Sequence, residues 1–211
     1  MLNAAVMTQL SRLAAVAVVA CLAIVVTPPL LAASSFANRL AVRVYDFSSL
    51  DNPVRNLAVD EARAIVDDAG VAADWHDCSA RAVCAPEPGD LIVRVIRETG
   101  QTGAPWHRAL GFSVVDPAAG AGTLATIYIN RVEDSARHAG AALALLLGRA
   151  IAHEVGHLIL RTNEHGDQGL MRAVWTEQEM ARNAHEDWVF ASPDRRQLRN
   201  ALQRTGRSAA R

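Results

Sequence analysis

The sequence predicts an α/β (α+β) fold in which strands and one amphipathic helix precede a long apolar helix. Four stretches between residues 40 and 96 or between 110 and 130, alternating or continuously apolar, read as strands, with a fifth short one from Val71 to His76. Between residues 52 and 69, apolar residues recur three and four apart, the period of a helix with one buried face. An Ala- and Leu-rich run from about Gly140 to Leu160 reads as a buried helix, and three polar residues are set into it: His153, Glu154 and His157. Strand, helix, four strands and a long helix is an α/β order.

Taken from the start, residues 1–33 read as a targeting segment. Arg12 precedes an unbroken apolar run from Leu13 to Val26, Pro28 and Pro29 break it, and small residues follow at Ala32-Ala33-Ser34-Ser35 and Ala37. The expectation is a signal peptide and export to the periplasm or the medium. The alternative is a membrane anchor retained over residues 13–33, for which the run is short. Val18-Val19-Ala20-Cys21 fits a lipoprotein box superficially, but the chain stays apolar to Ala33, where a lipidated cysteine would be followed by polar sequence. Cleavage would remove Cys21 and leave Cys78 and Cys84, an even pair that in an oxidising compartment reads as a disulfide closing a small loop. A metal site of these two with His76 is the weaker option, because C-x-x-x-x-x-C is poor zinc spacing.

The remainder, residues 38–205, reads as one domain with a frayed tail at 206–211, and 51% hydrophobic content suffices for a sizeable core. All 21 basic residues are arginine, a compositional bias, and the formal net charge of −1 argues against nucleic acid as a partner, since neutralising phosphates needs a basic surface. A monomer is expected. Leu40 to Phe47 alternates like a half-buried strand. Asp51-Asn52-Pro53 is a helix start, and Val54, Leu57, Ala58, Ala62, Ile65 and Val66 supply an apolar face up to Gly70. Leu91–Ile96, Leu110–Val115 and Thr123–Asn130 are further strands, with a Gly-rich loop from Thr99 to Trp106 between the first two. Beyond Met171, Thr176-Glu177-Gln178-Glu179 is a capping box opening a helix to about Asn183. Ser192-Pro193-Asp194 opens the last helix, with Leu198 and Leu202 on its buried face and Arg195, Arg196, Arg199 and Arg204 on its solvated one. Trp106, Trp175 and Trp188 read as packing, and His76, His107, His138 and His185 have no metal spacing.

The chemistry lies in His153-Glu154-Val155-Gly156-His157. Residues four apart on a helix lie nearly above one another, so both imidazoles can meet at one point. Neutral imidazoles suit zinc, and a catalytic zinc keeps three protein ligands with an open water position. Polar groups in so apolar a helix would be costly without such a partner. Past His157 the chain turns polar; Asn163 and Gly166 can both adopt positive φ and let it double back. His165 then offers a third nitrogen, and Gly169-Leu170-Met171 forms a turn with an apolar side chain to pack beneath the metal.

These residues resemble the metzincin clan of zinc metalloproteases, whose signature is H-E-x-x-H-x-x-G-x-x-H followed by a Met-turn. The resemblance implies His153, His157 and His165 as Zn2+ ligands, Glu154 as general base on the metal's water, and Met171 as the Met-turn residue. It also implies a zincin-like fold: a twisted mixed sheet backing the active-site helix, then the Met-turn and C-terminal helices. Two departures stand out. The third histidine falls two residues late, and Leu160 replaces the glycine that ends the helix, so the turn must be built from Arg161-Thr162-Asn163. The chain is also similar to small secreted bacterial proteins carrying an H-E-x-G-H-L-x-L-x-x-N-x-H-x-x-x-G-L-M segment.

The expected function is therefore an exported zinc metalloendopeptidase acting on a peptide or protein substrate, with Leu110–Val115 as the edge strand along which an extended substrate would lie. The alternative is a non-hydrolytic zincin-fold module of the cell envelope that binds metal or protein. Glu177, twenty residues beyond His157, would be the third ligand in a gluzincin-like arrangement, and Asp167 is a further oxygen donor. Tyr128 is available to stabilise an oxyanion, with nothing in the sequence to place it.

Overall fold

The structure, a computed structural model, describes residues 40–79, 84–99, 109–116 and 121–209. The N-terminal segment, with its signal, anchor and lipoprotein readings, lies outside the described residues. So do most of the Gly-rich loop with Trp106 and His107, and the last two residues of the tail.

Five strands form one mixed sheet: β1 (Leu40–Asp46), β2 (Ala73–Asp77), β3 (Leu91–Ile96), β4 (Gly111–Asp116) and β5 (Ala121–Tyr128), in the order β2-β1-β3-β5-β4. The first four in that order run parallel, and β4 pairs antiparallel with β5 at the edge. Val44, Val93 and Ala125 stand side by side in register and are fully buried, as are Val42, Val95 and Ile127 on the same face. That face is covered by α1 (Asn52–Asp68) and α3 (Leu143–Leu160), which pack against each other and against the sheet.

Helix α1 starts at Asp51 with proline in its first turn and stops before Gly70, which takes φ 80°. Its buried face is rotated from the expected one. Leu57 is 60% exposed, while Arg55 is buried among Ala58, Val59, Ala62, Ile65 and Val66. The reason is ionic: Arg55 donates to Asp77 at 3.1 Å and lies 3.6 Å from Asp46, tying the helix start to the ends of β1 and β2. Asp46 itself accepts from the amides of Ser48 and Leu50, fixing the turn between strand and helix.

A helix the sequence did not announce, α2 (Ile129–Ala139), follows β5 directly, so that β5 ends two residues earlier than expected. No glycine or proline separates the two, and the switch of period from two to 3.6 is hidden in Ile127-Tyr128-Ile129. Gly140, at φ 63°, ends it after Arg137 and His138 in the last turn. Helix α3 then runs through the middle of the molecule. Every residue from Leu146 to Ile159 is buried, so this helix, long and apolar enough to cross a membrane, is here the core helix of a folded domain. Gly148 lets α1 approach, since a Cβ there would sit 2.5 Å from the Ala58 carbonyl. Arg149 crosses the same contact, donating to Glu61 at 3.3 Å and to Asn183, with its guanidinium 4.2 Å over the Trp188 ring. A buried cation is tolerated only with such partners.

The C-terminal part matches expectation at its start. Helix α4 (Glu177–Arg182) carries the reciprocal Thr176–Glu179 capping box and ends at Asn183 in the left-handed region. A 3-10 turn (His185–Asp187) leads to α5 (Ser192–Ala209), whose Leu198 is fully buried and Leu202 partly so. The helix continues through Ala209, past Gly206 where fraying was expected.

Candidate metal centre

Helix α3 delivers His153 and His157 one turn apart with ring centroids 4.7 Å from each other. The loop after the helix brings His165 to 5.3 Å from the first ring and 4.8 Å from the second. One nitrogen from each lies within 4.8 Å of the others, and this is the sole such His/Cys/Asp/Glu group among the described residues. The three histidines read from the sequence are thus assembled. Asp167 and Glu177, the alternative donors, are exposed and stand apart from this group. Helix-start charge, held near a favourable dipole, accounts for Glu177.

Each helix-borne imidazole is oriented by a backbone carbonyl. His153 Nδ1 is 2.8 Å from Leu170 O, and His157 Nδ1 is 2.8 Å from Thr162 O. A carbonyl only accepts, so both rings carry their hydrogen on Nδ1 and leave Nε2 bare. Burial, reinforced by the neighbouring His157, holds His153 down to about 3. Burial likewise holds His157 at about 4 and lowers His165. All three are therefore neutral near pH 7, the ligating form. The two Nε2 atoms face each other at 3.0 Å. Two lone pairs at that distance form no hydrogen bond; they need a cation between or beside them. This contact is the observation that fits the donor set to a metal, and three neutral imidazoles suit zinc.

The helix exit is built at Arg161-Thr162-Asn163, as the missing glycine requires. Arg161, not Asn163 or Gly166, takes the left-handed conformation, at φ 57°, and does the work of the missing glycine. This sharp exit points the Thr162 carbonyl back at His157. The longer loop is closed where Gly166 N–H donates to Met171 O at 2.8 Å. Gly169, at φ 67°, permits the turn that buries Leu170 and Met171 completely or nearly so. Met171 Sδ lies under the helix: a Cβ on Gly156 would be 2.8 Å from it and 2.7 Å from Phe190. Trp175 does more than pack. Its indole stands edge-on to His153 at 5.5 Å, and its Nε1–H donates to the same Leu170 carbonyl at 3.2 Å.

Glu154, next to His153 in the helix, faces β4. It is 5% exposed, and burial pushes its carboxyl up to about 7, against the pull of a hydrogen bond from Ser113. Ser113 Oγ is 2.7 Å from Oε2 and 2.9 Å from the Glu154 carbonyl oxygen. The sequence reading missed Ser113. Its signal was a polar residue between Phe112 and Val114, which are exposed, so that the hydroxyl rather than the apolar side chains faces α3. Tyr128 is engaged elsewhere, 6.0 Å from the Phe112 ring and under the Arg131 guanidinium at 4.0 Å. Cys78 and Cys84 are joined as a disulfide with Cα atoms 5.6 Å apart, so they form no metal site with His76.

No protein-family model and no curated protein matches the chain. Solved structures do. A zinc-dependent peptidase from Methanocorpusculum labreanum aligns over 74% of this chain and 99% of its own, at 15% identity and a TM-score of 0.49. Archaemetzincin from Methanopyrus kandleri aligns over 79% of this chain and 97% of its own, at 13% identity and a TM-score of 0.52. The second likeness identifies the fold: a mixed α/β sheet backing a central helix, the zincin-like arrangement.

Proposed function

We propose that the chain is a zinc-dependent peptidase of metzincin-like type, exported from the cell. The observation that carries the reading is the pair of bare Nε2 atoms 3.0 Å apart with a third imidazole beside them. A solved structure of similar fold, described as an archaemetzincin, agrees with it. A bound Zn2+ would be held by His153, His157 and His165, and would supply a Lewis acid that polarises a carbonyl and acidifies water. Glu154, beside these ligands, takes a proton from the attacking water and returns it to the leaving amine. Burial raises the Glu154 carboxyl above its ordinary range in the metal-free protein, which favours a group that returns the proton it takes. The antiparallel edge strand β4 leaves one side of its backbone unpaired within the sheet, which supports strand addition by an extended peptide. The disulfide and the signal-like segment support export.

The test is the zinc content and peptidase activity of the purified protein and of three variants. Expected are one zinc in wild type, loss in His165→Ala, and retention in Glu177→Ala and Glu154→Gln, with activity falling about 10²- to 10⁴-fold in the last. Zinc lost in Glu177→Ala and kept in His165→Ala would replace the ligand set. No turnover in zinc-loaded wild type would leave a metal-binding module without hydrolysis, and equal turnover in wild type and Glu154→Gln would remove Glu154 as the base.

A further inference from the structure

The inner face of β4 is shaped around Glu154 at two positions. Ser113 turns inward between the exposed Phe112 and Val114, and its hydroxyl reaches both Oε2 and the main-chain carbonyl of Glu154. Two residues earlier, Gly111 is buried, and a Cβ there would come 3.1 Å from Glu154 Cγ and 2.7 Å from the Thr126 carbonyl. One position supplies a donor and the other supplies space. We infer that Ser113 is a positioning residue that locks the Glu154 carboxylate to the edge strand by holding Oε2, leaving Oε1 as the oxygen that exchanges the proton. The inference rests on the peptidase reading and deepens it.

A serine hydroxyl has a single hydrogen and two lone pairs. Of its two acceptors on Glu154, Oε2 at 2.7 Å is nearer than the main-chain carbonyl at 2.9 Å, and a carboxylate draws the hydrogen more strongly than a carbonyl. No hydrogen bond among the described residues holds Oε1. The carboxylate has torsional freedom along its side chain, and burial alone does not fix it. The hydrogen bond to Oε2 does, and it spans 41 residues of sequence to join the general base to a strand rather than to its own helix. If an extended peptide lies along β4, the strand that seats the substrate also aims the base. Register between the two is then set by one element, which is what proton transfer over hydrogen-bond distance requires.

The experiment compares wild type, Ser113→Ala and Ser113→Thr as full-length purified proteins. Threonine keeps the hydroxyl and suits a strand. Ser113→Ala is expected to keep its zinc and its circular dichroism spectrum, and to lose about 10- to 100-fold in kcat with KM little changed. Ser113→Thr is expected to restore most of that loss. Crystal structures of the three zinc-free proteins give a readout independent of turnover: Glu154 in one position in wild type and Ser113→Thr, and in several or a new one in Ser113→Ala. Unchanged kcat in Ser113→Ala, an equal loss in both variants, or an unmoved carboxylate in Ser113→Ala would each overturn the inference. Should wild type hydrolyse nothing, the peptidase reading fails while the crystal structures still decide whether Ser113 fixes Glu154.

Discussion

The two halves of the metal centre are built by opposite means. His153 and His157 sit in the C-terminal half of a buried helix, each with its tautomer fixed by a carbonyl. His165 is exposed, on a loop two residues longer than the metzincin pattern, closed by a turn at Gly166 and Met171. The helix-borne ligands are part of the core, and their neutrality is enforced by desolvation. The loop-borne ligand is placed by backbone geometry and gives little to the core. The proposed function needs all three, but stability needs only two.

The largest expected contrast follows at once. His153→Ala removes a ring from the core and should cost the metal-free protein about 2 kcal/mol or more. His165→Ala should change its melting temperature by the amount of a surface substitution, within about 0.5 kcal/mol. Thermal melts of both after chelation make the comparison, and a large loss in His165→Ala would dissolve it. The glycines divide in the same way. Gly156→Ala drives a methyl into Met171 and Phe190 beneath the helix and should cost about 1–3 kcal/mol. Gly166→Ala meets nothing closer than 3.7 Å and has no positive φ to relieve, so its melt should be close to wild type.

Titration sharpens the comparison further, with the smallest effect. His153 and His157 are held down to about 3 and about 4, below the ordinary 6.5, so the unfolded chain binds more protons than the folded one between those values. Their contribution is fully present above about pH 6.5 and is lost as pH falls toward 4 and then 3. Glu154, raised to about 7, acts in the opposite sense in that range, so the clean measurement uses the Glu154→Gln background. There the metal-free protein should lose about 1 kcal/mol per helix-borne histidine between pH 6.5 and 5.5. Substituting His153 should remove part of that slope, and substituting His165 should leave it nearly intact.

Where the chain's pattern was local, the sequence could be read. The capping box at Thr176, the start of α1 at Asp51 and the three histidines all rest on short-range spacing and appear as expected. The helix α2 was hidden because β5 passes into it without a punctuating residue. Leu57 was misplaced because an ion pair across three elements decided which face of α1 turned inward. Ser113 was invisible for a related reason: its importance lies in a residue 41 positions away, and nothing in a six-residue strand announces that. The left-handed Arg161 overturned a propensity rule, since asparagine and glycine nearby were better suited and the tertiary exit of the helix chose otherwise.

The unbroken burial of α3 from Leu146 to Ile159 has a consequence in time as well as in energy. Amides in such a segment open only when the whole domain opens. Two of the three ligands therefore live and die with the fold, on the slowest clock the molecule has. The third sits on an exposed loop, whose opening does not require that of the core. An ion leaving such a site would be released first at His165, and an arriving one would meet two ligands already waiting.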